Sequence, residues 1–183
     1  MPSIDDLERV TANTARLVRG VRTEQWAAPT PCVEWDVAAL VNHTTGVVEM
    51  FGAAVQGRRP ATPRDERALA AEPAADFDHA AATTVAAWRA RGLEGTVEIR
   101  VGEIPAPVAL GIDICDAYLH GWDLAQATGQ DAQLDDALSA ELLTFITQFL
   151  PPEPRDQNFG PVVDVASDAS PADRLIAYSG RKP

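Results

Sequence analysis

The stretch DAYLHGWDLAQATG, residues 116–129, forms the second half of a long predicted helix. Pro105 and Pro107 mark the start of that helix, because proline fits the first helical turn, and Gly129 ends it. The helix must bury several apolar side chains, namely Ile114, Tyr118, Leu119 and Leu124. Acidic and imidazole side chains occupy the same turns, and a buried carboxylate without a partner is costly. A bound cation would remove that cost.

The rest of the chain is also predicted to be mainly helical, from apolar spacing, capping residues and helix-ending residues. Helices are predicted over residues 4–22, 36–56, 76–91 and 135–150, with a short helix near 171–178. Residues 57–75 are interpreted as a solvated loop, and the alternating residues 96–101 as a possible short strand in an edge or extended connection. The chain is therefore predicted to be a single all-α domain over 1–183. Four main helices form the bundle, with short additional helices around them.

Composition excludes several function classes. The chain has 183 residues and a net charge of −12, with 15 basic and 27 acidic residues, and such a surface repels nucleic acid and anionic membranes. It has no apolar run long enough to span a membrane and no signal peptide, so a cytoplasmic location is expected. Two cysteines cannot form a disulfide framework. Phosphate-binding loops, nucleophile elbows, dinucleotide fingerprints and Cys-x-x-Cys motifs do not occur in the sequence.

Three side chains on two predicted helices are candidate metal ligands. Asp116 and His120 are four residues apart on one helix, so their Cβ atoms lie about 5–6 Å apart on the same face. His43 is in the middle of the second predicted helix, next to apolar neighbours on its own face, which points its imidazole toward the core. Two imidazoles and one carboxylate can hold Zn²⁺ with an open coordination position. The same ligand set also suits Fe(II), Ni(II) or Mn(II).

These residues also allow simpler interpretations. Histidines in helical proteins are more often surface or core residues than metal ligands. An Asp-x-x-x-His pair is also compatible with a helix-stabilising hydrogen bond worth about 0.5 kcal/mol. The third histidine, His79, lies among alanines and is predicted to be a solvated helix residue.

Three stretches carry a family resemblance. They are TPCVEWDVAALVNH at residues 30–43, DAYLHGWDLAQATG at 116–129 and the weaker DRLIAYSGR at 173–181. Together they resemble the actinobacterial metal-binding proteins related to mycothiol-dependent maleylpyruvate isomerase, within the DinB-like superfamily. The resemblance spans nearly the whole chain.

The resemblance implies a DinB-like four-helix bundle that holds one divalent metal, with His43, Asp116 and His120 as its ligands. The isomerase has glutamate at the carboxylate position, where this chain has the shorter Asp116. The larger isomerases carry an additional C-terminal domain, which is not expected here. Relatives in the superfamily transfer low-molecular-weight thiols, so mycothiol is the implied cosubstrate. Zinc favours the thiolate form of a bound thiol, and the thiolate is the nucleophile in thiol transfer.

The leading hypothesis is a divalent-metal-dependent thiol transferase or thiol-assisted isomerase acting on a small electrophilic substrate. A second hypothesis is a binding protein that uses the metal site, or a metal-free remnant of it, to hold a small ligand without turnover. A third is a structural bundle in which the two histidines and the aspartate only stabilise the fold. A homodimer is compatible with all three. Only the enzyme consumes thiol when mycothiol and an electrophile are supplied.

Four further residues are candidates for the surroundings of the metal. Trp35 and Trp122 are candidates to line a substrate pocket, although aromatic residues at helix ends more often belong to the core. Asp123, three residues after His120, is a candidate to orient that imidazole, or it faces water. Asn42 is a candidate for a similar orienting role.

Three more residues leave alternatives open. Cys32, in a loop with no histidine near it in sequence, is either a nucleophile or, more often for this residue type, a small packed thiol. Cys115 is interpreted as a packing residue. Arg174 either binds a carboxylate substrate or forms a surface ion pair.

Overall fold

A computed structural model of the protein describes residues 1–59, 68–99, 102–153, 155 and 159–183. The chain separates into two compact units, which we describe separately. One unit spans residues 3–132, and the other combines residues 133–183 with the first two residues. The prediction of a single domain over 1–183 stays a prediction.

The larger unit contains four long helices. They are α1 (Ile4–Arg19), α2 (Val37–Ala54), α3 (Pro73–Arg91) and α4 (Ala106–Thr128). A single turn of 3-10 helix, Thr23–Gln25, follows α1. A two-stranded antiparallel hairpin, β1 (Thr96–Ile99) and β2 (Gly102–Pro105), lies between α3 and α4.

The helix boundaries follow from the capping residues. The Ser3 hydroxyl accepts a hydrogen bond from the Asp6 amide at 3.2 Å, and the Asp6 carboxylate accepts one from the Ser3 amide at 2.7 Å. These reciprocal bonds satisfy two otherwise unpaired amides at the start of α1. At the start of α2 a single bond of this kind forms, because the Asp36 side chain accepts the Ala39 amide at 2.8 Å. Gly129 ends α4 with a φ of +68°, a left-handed conformation that glycine adopts without strain.

The four helices form a closed bundle, in which α1 and α2 each pack against both α3 and α4. Its core holds fully buried residues from all four helices, including Leu17, Leu40, Phe77 and Leu124. Two glycines allow neighbouring helices of the bundle to approach each other closely. A Cβ atom at Gly52 would lie 2.3 Å from the Thr84 hydroxyl, between α2 and α3, and one at Gly121 would lie 3.1 Å from the Thr14 hydroxyl, between α4 and α1. The predicted all-α bundle is confirmed.

Two details of the prediction were wrong. The strand predicted over residues 96–101 is not alone, because β2 pairs with it, with Val97 opposite Ile104. No alternating apolar pattern marks β2, and its last residue, Pro105, belongs to the strand and not to the start of the following helix. Helix α3 begins at Pro73, inside the predicted loop 57–75, because proline is favourable in the first turn. Residues 60–67 of that loop lie outside the described residues.

The smaller unit contains α5 (Asp136–Ile146) and α6 (Pro171–Tyr178), which pack against each other. Helix α5 ends four residues earlier than predicted. The Tyr178 hydroxyl donates to the Leu150 carbonyl at 2.6 Å, and the Arg155 guanidinium lies 4.7 Å from the centre of the Tyr178 ring. Both contacts hold the segment before α6 within its own unit. In the described part of the chain, no helix is both long and apolar enough to cross a membrane.

Candidate metal centre

The three predicted ligands converge between α2 and α4. His43 points from the middle of α2, and Asp116 and His120 lie one turn apart on α4. The Oδ1 atom of Asp116 is 3.7 Å from Nε2 of His43 and 3.7 Å from Nε2 of His120. One donor atom from each residue lies within 4.8 Å of the other two. The structure therefore brings together the three residues that the sequence analysis singled out.

The spacing of these donor atoms fits a shared cation better than direct bonding. A separation of 3.7 Å between nitrogen and oxygen exceeds hydrogen-bond range, so neither imidazole bonds to this oxygen. In a tetrahedral zinc site, with bonds of about 2.0–2.1 Å, donor atoms lie about 3.3–3.5 Å apart. A small contraction of the side chains would place all three donors around one ion.

The cluster is partly shielded from water. The side chains of His43, Asp116 and His120 are 14%, 21% and 11% exposed. The two imidazoles meet edge to face, with 4.9 Å between ring centres. The indole of Trp35 lies 4.2 Å from the His43 ring and 5.7 Å from the His120 ring. This indole forms an apolar wall beside both imidazole rings.

A tethered loop, residues 26–36, holds Trp35 in this position. The Thr30 hydroxyl donates to the Trp35 carbonyl at 2.8 Å, and the Trp35 amide donates to the Cys32 carbonyl at 2.8 Å. An isolated antiparallel bridge joins Pro29 to Asp36, at the start of α2. Because these bonds fix the loop at both ends, Trp35 is positioned by backbone contacts and not by packing alone.

The carboxylate of Asp123 contacts the Nδ1 atom of His120, the ring nitrogen that faces away from Asp116. Its Oδ2 atom lies 3.0 Å from Nδ1 of His120, and the residue is fully buried. A carboxylate at this distance favours a proton on Nδ1, which leaves Nε2 available to face His43 and Asp116. This contact supports the predicted orienting role of Asp123.

The charges around His120 change its protonation. Burial alone would lower the pKa of His120, but the nearby Asp116 carboxylate, and then the hydrogen bond to Asp123, raise it to about 10. Without a metal, the imidazole is therefore protonated at neutral pH. A cation bound at Nε2 would replace that proton.

Cys32 reaches the same imidazole, which the sequence analysis did not anticipate. Its thiol donates to Oδ2 of Asp123 at 3.3 Å, and its Sγ atom lies 3.8 Å from Nδ1 of His120. Cys32 and His120 are 88 residues apart in sequence, so only the folded loop 26–36 reveals their contact. The absence of a histidine near Cys32 in sequence therefore does not mean that no histidine lies near this thiol in the folded protein.

A second buried acid on α4 lies near the cluster but is not part of it. Asp113 is fully buried, and its Oδ2 atom accepts the indole N–H of Trp88, on α3, at 3.2 Å. Desolvation raises the pKa of Asp113 well above its usual range; the Trp88 hydrogen bond opposes this shift, and the charge of Asp116 adds to it. Burial of Asp113 therefore favours its protonated form.

The remaining predicted residues have varied surroundings. Trp122 is almost fully buried and Asn42 is half-buried, and their proposed roles near the site stay predictions. Cys115 is buried, and desolvation, followed by the charge of Asp116, raises the pKa of its thiol to about 12, as suits a packing residue. His79 is exposed, as predicted.

Arg174 forms hydrogen bonds to the backbone, a role that neither the carboxylate-binding nor the ion-pair interpretation included. Its guanidinium donates to the backbone carbonyls of Ala169 and Ser167, in the turn that leads into α6. These bonds fix the start of the short helix within the smaller unit.

The bundle and its cluster of donor atoms together define a helical fold with a candidate metal centre. The family model for the mycothiol maleylpyruvate isomerase N-terminal domain matches residues 7–125, and the chain belongs to this family. Two relatives from Mycobacterium tuberculosis, the uncharacterized proteins MT0763 (strain CDC 1551) and Rv0738 (strain H37Rv), are each 34% identical over 170 residues. That match covers 91% of this chain and 91% of each relative.

Solved structures share the fold. A crystal structure of the mycothiol-dependent maleylpyruvate isomerase matches with a TM-score of 0.56 and 19% identity, over 78% of this chain and 72% of that one. A histidine-to-alanine variant of that enzyme matches with a TM-score of 0.57 and 17% identity. In that comparison the match covers 68% of this chain, which spans 63% of the variant's length. The predicted DinB-like fold is thereby confirmed.

Proposed function

We propose that this protein is a divalent-metal-dependent enzyme that uses a low-molecular-weight thiol of the mycothiol type. It would transfer that thiol to a small electrophile, or use it to assist an isomerisation. The observation that carries the proposal is the convergence of His43, Asp116 and His120 on one point, at separations suited to a shared cation. Membership of the mycothiol maleylpyruvate isomerase N-terminal domain family supports the choice of thiol.

The donor set suits the proposed chemistry. His43 and His120 would each contribute a neutral imidazole and Asp116 a single negative charge, so a divalent ion would keep a net positive charge. When bound, such an ion supplies a Lewis acid that favours the thiolate form of a coordinating thiol. Zinc fits this set of nitrogen and carboxylate donors, and Ni(II), Fe(II) and Mn(II) are the alternatives.

The other side chains of the site would orient and shield it. Asp123 keeps a proton on Nδ1 of His120 and so holds Nε2 toward the cation position. Trp35 covers one side of both imidazoles and limits access of water. A depression of about 420 Å³ is lined by residues of the loop 26–36, including Trp35, and by Ala39, and we propose that a small substrate approaches the site along it.

Two assays test the proposal. Zinc-loaded protein is supplied with mycothiol and either maleylpyruvate or a reactive alkyl halide. The loss of maleylpyruvate is followed in the first assay, because an isomerisation regenerates the thiol, and the loss of both thiol and alkyl halide is followed in the second. We expect mycothiol-dependent conversion in at least one assay, lost in His120→Ala and Asp116→Asn and retained in His79→Ala, a matched control on the exposed face of α3. Circular dichroism shows whether each variant is folded.

A negative result is equally informative. If the wild-type protein binds zinc but converts neither substrate, the enzyme hypothesis is wrong and the protein is a binder of metal or small ligands. If it binds no metal at all, the enzyme hypothesis fails, and a binder that uses the metal-free site or a structural bundle remains.

A further inference from the structure

A second group of metal-binding donors lies on the other side of His120. It consists of Sγ of Cys32, Nδ1 of His120 and Oδ2 of Asp123, all within 4.8 Å of one another. The individual separations are 3.8 Å from sulfur to nitrogen, 3.3 Å from sulfur to oxygen and 3.0 Å from nitrogen to oxygen. The loop 26–36 supplies the thiol, and α4 supplies the other two donors.

These separations lie within about 0.3 Å of those in a zinc site. With zinc–sulfur bonds of about 2.3 Å and bonds of about 2.0–2.1 Å to nitrogen and oxygen, tetrahedral geometry places the donors about 3.3–3.6 Å apart. Thiolate, imidazole and carboxylate are the three ligand types that protein zinc sites use. We propose that Cys32, His120 and Asp123 form a second cation site, for a thiophilic divalent ion such as Zn²⁺ or Cd²⁺, and that it shares the His120 imidazole with the first site.

Protons and charges balance in this arrangement. Binding of the second ion releases the thiol proton of Cys32 and the Nδ1 proton of His120 to solvent. When both sites are filled, the imidazolate of His120 bridges the two ions. Their four positive charges are matched by the thiolate of Cys32, that imidazolate, and the carboxylates of Asp116 and Asp123. A neutral cluster avoids the cost of an unbalanced charge in a half-buried position.

The second site also has a route of entry. Cys32 is half-buried, and its neighbour Val33 is 96% exposed, so this part of the loop lies at the protein surface. Because the second ion must displace the Nδ1 proton held by Asp123, the first site is expected to fill at lower metal concentration. The proposal requires neither thiol cosubstrate nor turnover, so it stands apart from the proposed enzyme activity.

Cobalt titration tests the second site, because a thiolate bound to Co²⁺ gives a strong charge-transfer band in the near ultraviolet. Metal-free protein is titrated with Co²⁺ under reducing conditions. We expect the band in the wild-type protein, mainly with the second equivalent of metal. We expect it to be lost in Cys32→Ser and retained in Cys115→Ser, the matched control for the only other cysteine.

The Asp116→Asn variant separates this proposal from the metal centre itself. It removes a donor from the first site and leaves all three donors of the second in place, so the thiolate band should persist even if the first site no longer binds. Absence of the band in both the wild-type protein and Cys115→Ser at saturating Co²⁺ would overturn the proposal. Persistence of the band in Cys32→Ser would do the same.

A measurement on the unaltered protein avoids any effect of substitution on folding. Cys32 is alkylated with iodoacetamide with and without Cd²⁺, and its modification is followed by mass spectrometry. A coordinated thiolate is protected, so we expect alkylation to slow by at least about tenfold. An unchanged rate at saturating Cd²⁺ contradicts the proposal.

Discussion

The two acids Asp113 and Asp116 lie within one turn of α4 and have very different surroundings. Asp116 faces α2, where two imidazoles are directed at one of its oxygens. Asp113 faces α3, where its described hydrogen-bond partner is the indole N–H of Trp88. Because three residues on a helix differ by about 60° in direction, a small rotation separates a candidate metal centre from a buried acid that belongs to no group of converging donors among the described residues. Burial of a carboxylate is therefore not enough to indicate a metal site, and converging donors are also needed.

The largest expected effect is a difference in zinc affinity between variants of these two acids. Asp116→Asn or His43→Ala removes one of the three donors, so zinc affinity should fall by more than about 100-fold, beyond the loss typical of outer-shell changes. Asp113→Asn should leave zinc affinity unchanged. Competition with a chromophoric chelator measures all three variants. Equal losses in Asp113→Asn and Asp116→Asn would show that the distinction is wrong.

A smaller effect is expected for the residue that orients His120. Asp123→Asn removes the negative charge that holds the Nδ1 proton, and zinc affinity should fall by about 10–100-fold. The same chelator competition measures this loss. An Asp123→Asn protein with wild-type affinity would show that the contact with His120 is only structural.

Proton release provides the next test. The pKa of His120 in the metal-free protein is raised to about 10, so at pH 6–8 each bound cation must displace a proton from this imidazole. Zinc affinity should therefore rise about tenfold per pH unit over that range. Titration calorimetry at pH 8, in buffers with different ionisation enthalpies, should detect about one proton released by His120 per zinc. Affinity that does not change with pH would contradict the assigned role of His120.

The same raised pKa also affects stability. A histidine whose pKa is raised in the folded state contributes stability that is fully present below its unfolded value of 6.5 and lost as pH rises toward about 10. The metal-free protein should therefore melt at a lower temperature at pH 9 than at pH 6.5. His79→Ala, which alters only an exposed histidine, should show the same trend, and His120→Ala should lose the contribution of this group.

The smallest expected effect concerns Asp113. Its raised pKa means that the folded protein favours the protonated acid, so this stability is lost as pH rises through the folded-state pKa. Asn resembles the protonated acid in shape, so Asp113→Asn should stabilise the protein by roughly 1 kcal/mol at pH 8, or a few degrees in melting temperature. The gain should shrink at pH 5. Destabilisation at both pH values would mean that Asp113 is charged and paired.

Sequence reasoning identified the parts of this molecule that depend on local signals. The helix starts at residues 4 and 36 were predicted correctly to within one residue, because their capping side chains bond to amides only three residues away. The positions of Asp116 and His120 on one face of α4 followed from their spacing. His43 lies on a different helix, and its pairing with Asp116 and His120 depends on how α2 and α4 face each other. The family resemblance, and not helical spacing, implied that arrangement.

The missed features depend on long-range structure. Cys32 meets His120 only because the loop 26–36 folds back onto α4. The strand β2 was missed because its sequence lacks an alternating apolar pattern, and it exists through its pairing with β1. The different surroundings of Asp113 and Asp116 depend on the rotation of α4, which helical spacing alone does not determine.

A crystal structure of the zinc-loaded protein, with anomalous diffraction recorded at the zinc edge, provides the decisive measurement. The account predicts an anomalous peak between α2 and α4, within about 2.2 Å of donor atoms of His43, Asp116 and His120. Zinc-saturated crystals without a peak at that position, or with His43 and Asp116 turned away from each other, would contradict it.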